Sequence, residues 1–161
     1  MLNRKAILDE LLKNKKTLGS VESLTGGLFS SSVVSIPGAS SVFLGALVTY
    51  RADLKNKVAH VDKKLIDEFG VVSSEVAKAM AENGRKILGV DYCLSFTGNA
   101  GPLTLDNKEV GEVYIGLSYK ENTIVTHLNL KGSRNEIREE CVEKGWELLN
   151  KVLKDDIEAY L

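Results

Sequence analysis

Hydrophobic positions first recur at helical spacing at Ile7, Leu8, Leu11 and Leu12, an apolar stripe that the basic cluster Lys13 to Lys16 closes. The pattern predicts an amphipathic first helix. Thr17 to Glu22 then reads as a short strand that runs straight into Ser23-Leu24-Thr25-Gly26-Gly27, a tight turn. A helix is expected from about Thr25 to Ser35, broken by Pro37-Gly38. Val42 to Tyr50 is aromatic and β-branched, which predicts a mostly buried strand rather than a helix. Two short helices are expected between Asp53 and about Phe69, with Asp62 capping the second and Gly70 ending it. Ser73 or Ser74 caps a longer helix, whose Val76, Ala77, Met80, Ala81, Ile87 and Leu88 share a face before Gly89 stops it.

Val90 to Thr97 reads as a strand, followed by a loop from Gly98 to about Val110. Gly111 to Tyr119 and Thr123 to Leu130 form a predicted hairpin around Glu121-Asn122. Ser133, with Glu136 three residues on, has the capping-box pattern and opens a last helix through Ile137, Cys141, Val142, Leu149 and Val152. Strands alternating with helices, plus one antiparallel hairpin, predict a three-layer α/β/α sandwich with a mixed sheet. Residues 1–161 are read as a single domain without repeat or linker, and Ser30-Ser31-Ser32 is assigned to a helix surface.

Composition narrows the picture. Apolar residues at 43% and charged residues at 27% suit an ordinary globular core and exclude a disordered chain. The formal charge of -1 and the scattered five Tyr and four Phe disfavour a dedicated nucleic-acid binder. No apolar run approaches the roughly 20 residues that cross a bilayer, and the first sixteen residues lack the block structure of an export signal. Cys93 and Cys141 have no CxxC spacing, so a reducing, cytoplasmic setting is expected. His60 and His127 lie too far apart for a His-rich metal site, and each reads as a surface or structural residue.

Three turns carry candidate chemistry, because ligands in α/β folds gather outside the carboxyl ends of strands. Glu22 to Gly27 presents a hydroxyl at a strand end just before a helix N-terminus, whose N–H groups suit an anion or oxyanion. On spacing alone, Ser23 or Thr25 as a plain helix cap is the commoner reading. Tyr50 to Lys55 places a phenol and an amine at one helix start. A buried lysine can serve as a base for serine, whereas a solvated one beside Lys57, Lys63 and Lys64 is only surface charge. Thr97-Gly98-Asn99-Ala100-Gly101-Pro102 is a small-residue loop suited to close backbone contact with a ligand, or simply to a turn. Arg134 and Arg138, four apart, read either as exposed helix arginines or as a phosphate clamp.

Taken together, VESLTGG (Val21 to Gly27), SIPGASSVFLGALVTY (Ser35 to Tyr50) with Lys55 beyond it, GVVSSEVAKAMA (Gly70 to Ala81), TGNAGP (Thr97 to Pro102), GEVYIGL (Gly111 to Leu117) and GSRNEIRE (Gly132 to Glu139) resemble the CinA C-terminal-domain family. The resemblance covers roughly residues 3 to 153. Active members of that family are nicotinamide-nucleotide amidases, also called PncC. The resemblance implies hydrolysis of the carboxamide of nicotinamide mononucleotide to nicotinic acid mononucleotide and ammonia, without a metal or organic cofactor. It implies Ser23 as nucleophile and Lys55 as its base, with Tyr50 orienting the pair. Thr25, Gly26 and Gly27 are then candidates for the oxyanion, and Thr97, Gly98, Ala100 and Gly101 for the nucleotide. Arg134 or Arg138 would take the phosphate, and the resemblance implies a homo-oligomer in which that contact can cross the subunit boundary.

Departures from the family pattern are Leu24 for the usual cysteine, Asn99 for an aliphatic residue, and Leu103-Thr104-Leu105 for a glycine-rich stretch. The Leu24 change is expected to affect packing more than chemistry, and the other two bear on loop shape and substrate preference. Longer relatives carry a further N-terminal domain with pyrophosphatase activity, which is not expected in 161 residues. The competing reading is a catalytically silent nucleotide-binding or competence-associated protein of the same fold. Retention of both Ser23 and Lys55 favours the amidase.

Overall fold

A computed structural model describes residues 2–158. Its centre is a five-stranded mixed sheet of β1 (Leu18–Glu22), β2 (Phe43–Val48), β3 (Tyr92–Gly98), β4 (Glu112–Tyr119) and β5 (Asn122–Asn129), in the order β2-β1-β3-β4-β5. β2, β1 and β3 run parallel, and the β4–β5 hairpin adds antiparallel to β3. The helices are α1 (Arg4–Lys13), α2 (Leu28–Val34), α3 (Ala52–Lys57), α4 (Lys63–Phe69), α5 (Ser74–Leu88) and α6 (Arg134–Glu158). This is the three-layer α/β arrangement that the alternation of elements predicts.

Strand alternation divides the core between the two faces. Leu18, Tyr92, Leu94 and Phe96 join α1, α2 and α6 in one cluster, which includes Leu11, Phe29 and Trp146. Val21 and Cys93 point the other way, toward Val76 and Met80 of α5. Gly84 lets α5 lie close on the sheet: a Cβ there would come within 2.3 Å of Val21 Cγ2. On the opposite face Trp146 packs against Phe29 with ring planes tilted by 48° and centroids 5.2 Å apart, and donates its Nε1–H to Ser32 Oγ at 2.9 Å. That contact locks α2, which follows the first candidate turn, onto α6.

Several expectations change in detail. α2 begins at Leu28 rather than Thr25, because Gly26 and Gly27 take left-handed φ values of 57° and 98° that a helix cannot continue through. β2 is an edge strand with Leu44 and Val48 exposed, so it is less buried than its composition suggests. The hairpin turns at Lys120-Glu121, and Asn122 already pairs with Tyr119. Ile87 faces solvent at the end of α5 instead of sharing the core face. Ser30 and Ser32 point inward to hydrogen-bond partners, whereas Ser31 alone is exposed. The caps fall where the residue types place them: Asp62 accepts from Lys64 N–H, Ser73 from Val76 N–H, and Ser133 and Glu136 bond reciprocally.

Candidate functional site

The carboxyl ends of β1 and β3 open onto a cavity of about 760 Å³, lined by the β1–α2 turn, the β2–α3 turn, the β3–β4 loop and the start of α6. Ser23 stands at its floor, directly after β1, with its N–H donating to Phe96 O at 3.0 Å. Its position is fixed from behind by Glu22. The Glu22 side chain is fully buried and accepts from Phe29 N–H at 2.9 Å, Ser30 N–H at 3.0 Å and Ser20 Oγ at 3.2 Å, and from Ser30 Oγ. The Phe29 and Ser30 N–H groups belong to the first turn of α2, so the chain's own carboxylate takes donors of the helix N-terminus that the turn pattern offers to a ligand.

Lys55 lies in α3, reached from β2 through Thr49 and Tyr50, and is 1% exposed. Its Nζ is 2.9 Å from Ser23 Oγ, 2.8 Å from Thr49 O and 3.2 Å from Tyr50 O. Burial lowers its pKa from 10.5 to about 8, against the opposing pull of the Asp106 carboxylate. At pH 7 about a tenth of the amine is then neutral, several hundredfold more than for a solvated lysine. A neutral amine has two hydrogens and one lone pair. The charged amine donates to all three acceptors, and the Ser23 hydroxyl donates to Tyr50 O at 3.4 Å; once the amine loses a proton, the two carbonyls can keep its remaining hydrogens and free the lone pair for the Ser23 hydroxyl. The arrangement suits proton abstraction from Ser23.

Tyr50 contributes to this pair through its main-chain carbonyl. Its phenol is 56% exposed and accepts from Arg134 Nη2 at 2.9 Å. Arg134 also donates from Nη1 to Gly101 O at 2.6 Å, which ties α6 to the β3–β4 loop at the cavity edge. Arg138 does not line the cavity: its guanidinium donates to Leu24 O at 2.9 Å and Thr25 O at 3.0 Å, clamping the β1–α2 turn. Thr25, Gly26 and Gly27 also lie outside the lining, and Gly26 N–H is taken by Ser23 O. Thr97, Gly98, Ala100 and Gly101 do line it. The Thr97 hydroxyl donates to Val71 O at 2.7 Å, so it braces the cavity wall.

Sequence reasoning passed over the Glu22 side chain, the Thr49 carbonyl and Asp106, and it marked Asn99 only as a departure that bears on loop shape. Glu22 reaches donors seven and eight positions ahead, beyond the three-residue spacing by which a cap is recognised. Among the described residues no cluster of His, Cys, Asp and Glu is placed to hold a metal ion, and no helix is long and apolar enough to cross a membrane.

Fold and site together define an α/β protein with a buried serine–lysine pair at the carboxyl ends of its parallel strands. The profile of the CinA C-terminal domain matches residues 3–153, and the chain belongs to that family. Competence-damage inducible proteins of Bacillus cereus strain AH187 and Bacillus thuringiensis strain Al Hakam are 47% and 46% identical over 156 residues. Those alignments cover 96% of this chain but 37% of each relative, so the chain spans little more than a third of their length. Among solved structures, a CinA superfamily protein from Klebsiella pneumoniae 700603 superposes with a TM-score of 0.90 at 18% identity, covering 96% of this chain and 99% of that one. Competence/damage inducible protein CihA from Agrobacterium tumefaciens gives 0.85 at 26% identity, covering 94% and 95%.

Proposed function

We propose that the chain is a nicotinamide-nucleotide amidase that hydrolyses nicotinamide mononucleotide to nicotinic acid mononucleotide and ammonia. The observation that carries this reading is the 2.9 Å approach of a buried Lys55 amine to Ser23 Oγ, with the carbonyls of Thr49 and Tyr50 at 2.8 and 3.2 Å from the same nitrogen. Family membership supplies the substrate class.

Neutral Lys55 takes the Ser23 proton as Oγ attacks the carboxamide carbon, forming a tetrahedral oxyanion. The N–H of Leu24, next after the nucleophile and on the cavity lining, is the candidate donor to that oxyanion. Lys55 then gives its proton to the departing nitrogen, the C–N bond breaks, and ammonia leaves an acyl ester on Ser23. Water attacks the ester while Lys55 accepts its proton, and the acid leaves as Ser23 recovers its hydrogen. Arg134, at the cavity edge, is the candidate to bind the nucleotide phosphate.

Ammonia release from nicotinamide mononucleotide by the purified protein, with Ser23→Ala and Lys55→Ala beside it, tests the proposal. Release by wild type and its loss in both variants is expected. A folded wild type that releases none at saturating substrate removes the amidase. A Lys55→Ala protein at full rate removes only the base, and binding of the nucleotide without turnover favours the silent nucleotide-binding reading.

A further inference from the structure

The chain between β3 and β4 forms an arm over the cavity, and two polar side chains hold it. Asn99 is 4% exposed. Its Oδ1 accepts from Leu105 N–H at 3.0 Å, and its Nδ2 donates to Leu105 O at 3.2 Å and Lys108 O at 3.4 Å. Its own main chain closes the neck of the arm, with Asn99 N–H to Glu112 O at 3.0 Å and Gly111 N–H to Asn99 O at 2.7 Å. Asp106, one residue past Leu105, braces the outside: its Oδ2 accepts from Val72 N–H at 2.9 Å. The carboxyl fits only because Gly70 has no side chain, since a Cβ there would lie 2.6 Å from Asp106 Cγ. Asp106 and Asn107 adopt left-handed φ values of 59° and 57°, which their short polar side chains tolerate better than most.

This bracing presents apolar side chains at the cavity mouth. Leu103 is 89% exposed and Leu105 58% exposed, and both line the cavity that holds Ser23 and Lys55. Val71, Val72 and Ala100 continue the apolar lining, while Ser23, Lys55 and Arg134 supply its polar side. A planar aromatic ring with a polar substituent matches such a division, its face toward the leucines and its carboxamide toward the serine. A braced arm holds its contact atoms in place before binding, which spares the ordering cost of a loose one.

We propose that Leu103 and Leu105 are the ring-contact residues of this site, packing on the face of the substrate's planar ring, and that Asn99 and Asp106 are positioning residues that hold them there. The proposal rests on the pyridine-nucleotide reading of the site. It makes the β3–β4 arm the determinant of preference for ring-bearing amides.

Two measurements test it: steady-state kinetics with nicotinamide mononucleotide, and calorimetric binding of the same nucleotide in a Ser23→Ala background. The double variant Leu103→Ser, Leu105→Ser is expected to raise KM and Kd about tenfold or more, with a smaller change in kcat. Asn99→Leu, which removes every side-chain bond to the arm, is expected to raise KM comparably. Asp106→Ala should do the same, and Asp106→Asn, which keeps an acceptor for Val72 N–H, should recover most of the loss. If wild type turns over and the double leucine variant keeps KM and Kd within twofold, the ring contact is wrong. The same holds if that variant instead dissolves an oligomer at unaltered KM, because a second copy of the chain then covers the leucines. Absence of ammonia from wild type, with nucleotide binding still weakened by the leucine changes, removes the amidase and keeps the contact. Absence of both binding and turnover removes both. Should Asn99→Leu fail to fold, the leucine pair and the two Asp106 variants decide the question.

Discussion

Lys55 Nζ stands 2.9 Å from Ser23 Oγ although 32 positions separate them, and the amine is buried to 1% exposure. Two of its three partners are main-chain carbonyls, of Thr49 and Tyr50. A lysine with this surrounding is costly to keep charged. The fall from 10.5 to about 8 corresponds to about 3 kcal/mol at 1.36 kcal/mol per unit. Stability is lost here in exchange for an amine that can be neutral close to physiological pH.

That cost has a pH signature. Because the folded pKa lies below the unfolded one, the unfolded chain binds more protons between pH 8 and 10.5, and stability rises with pH through that window. Below about 8 the full cost applies. Lys55→Met has no such group, so its stability relative to wild type should decline by about 2 to 3 kcal/mol from pH 7 to pH 10. Urea denaturation of both proteins at the two pH values measures this. A constant difference would place the native amine near its ordinary pKa.

Arginine cannot replace this lysine. A guanidinium keeps its charge at any working pH and has no lone pair to take the Ser23 proton. Lys55→Arg is therefore expected to lose kcat by about a thousandfold, as Lys55→Ala does. The measurement is ammonia release under saturating nicotinamide mononucleotide. An arginine variant within tenfold of wild type would mean that positive charge, rather than proton abstraction, is what position 55 supplies.

How much of this was legible in the sequence depends on how local the physics is. Asp62, Ser73 and the Ser133–Glu136 pair cap helices through contacts within three residues, and residue type alone locates them. The approach of Lys55 to Ser23 is not local, and no spacing rule predicts it; resemblance to a family brought the two together before any coordinates did. Tyr50 shows a different limit. Its carbonyl holds the amine, and a carbonyl belongs to every residue, so the phenol drew attention to the right position for another reason. The exposed side chains of β2 were hidden because edge or centre placement is a property of the whole sheet. Asn99 read as a departure that bears on loop shape, but the sequence did not show that its amide reaches residues six and nine positions on.

Glu22 should be a stability determinant of the nucleophile turn. Four donors converge on its carboxylate, and two of them are the α2 N–H groups of Phe29 and Ser30. Glu22→Gln turns one acceptor oxygen into a donor facing other donors, and Glu22→Ala strands the Phe29 and Ser30 N–H groups, leaving the Ser20 and Ser30 hydroxyls, 3.1 Å apart, only each other. Each is expected to cost about 2–4 kcal/mol in urea denaturation, with the alanine at the upper end. A loss below about 0.5 kcal/mol would show that the β1–α2 turn is held by Arg138 and the Trp146 contact instead.

Asp106 has an electrostatic role that can be separated from its bracing role. Its carboxylate raises the pKa of Lys55 against the larger lowering by burial. Asp106→Asn keeps an acceptor for Val72 N–H and removes the negative charge, so the Lys55 pKa should fall further. A base that loses its proton more readily is active at lower pH. The rising limb of the kcat/KM profile, expected near pH 8 in wild type, should therefore move to lower pH in the variant. Lys55 alone is invoked for that limb, so its displacement tests base and carboxylate together. A limb that stays put separates Asp106 from the amine's field, and one that moves to higher pH contradicts the sign of the coupling.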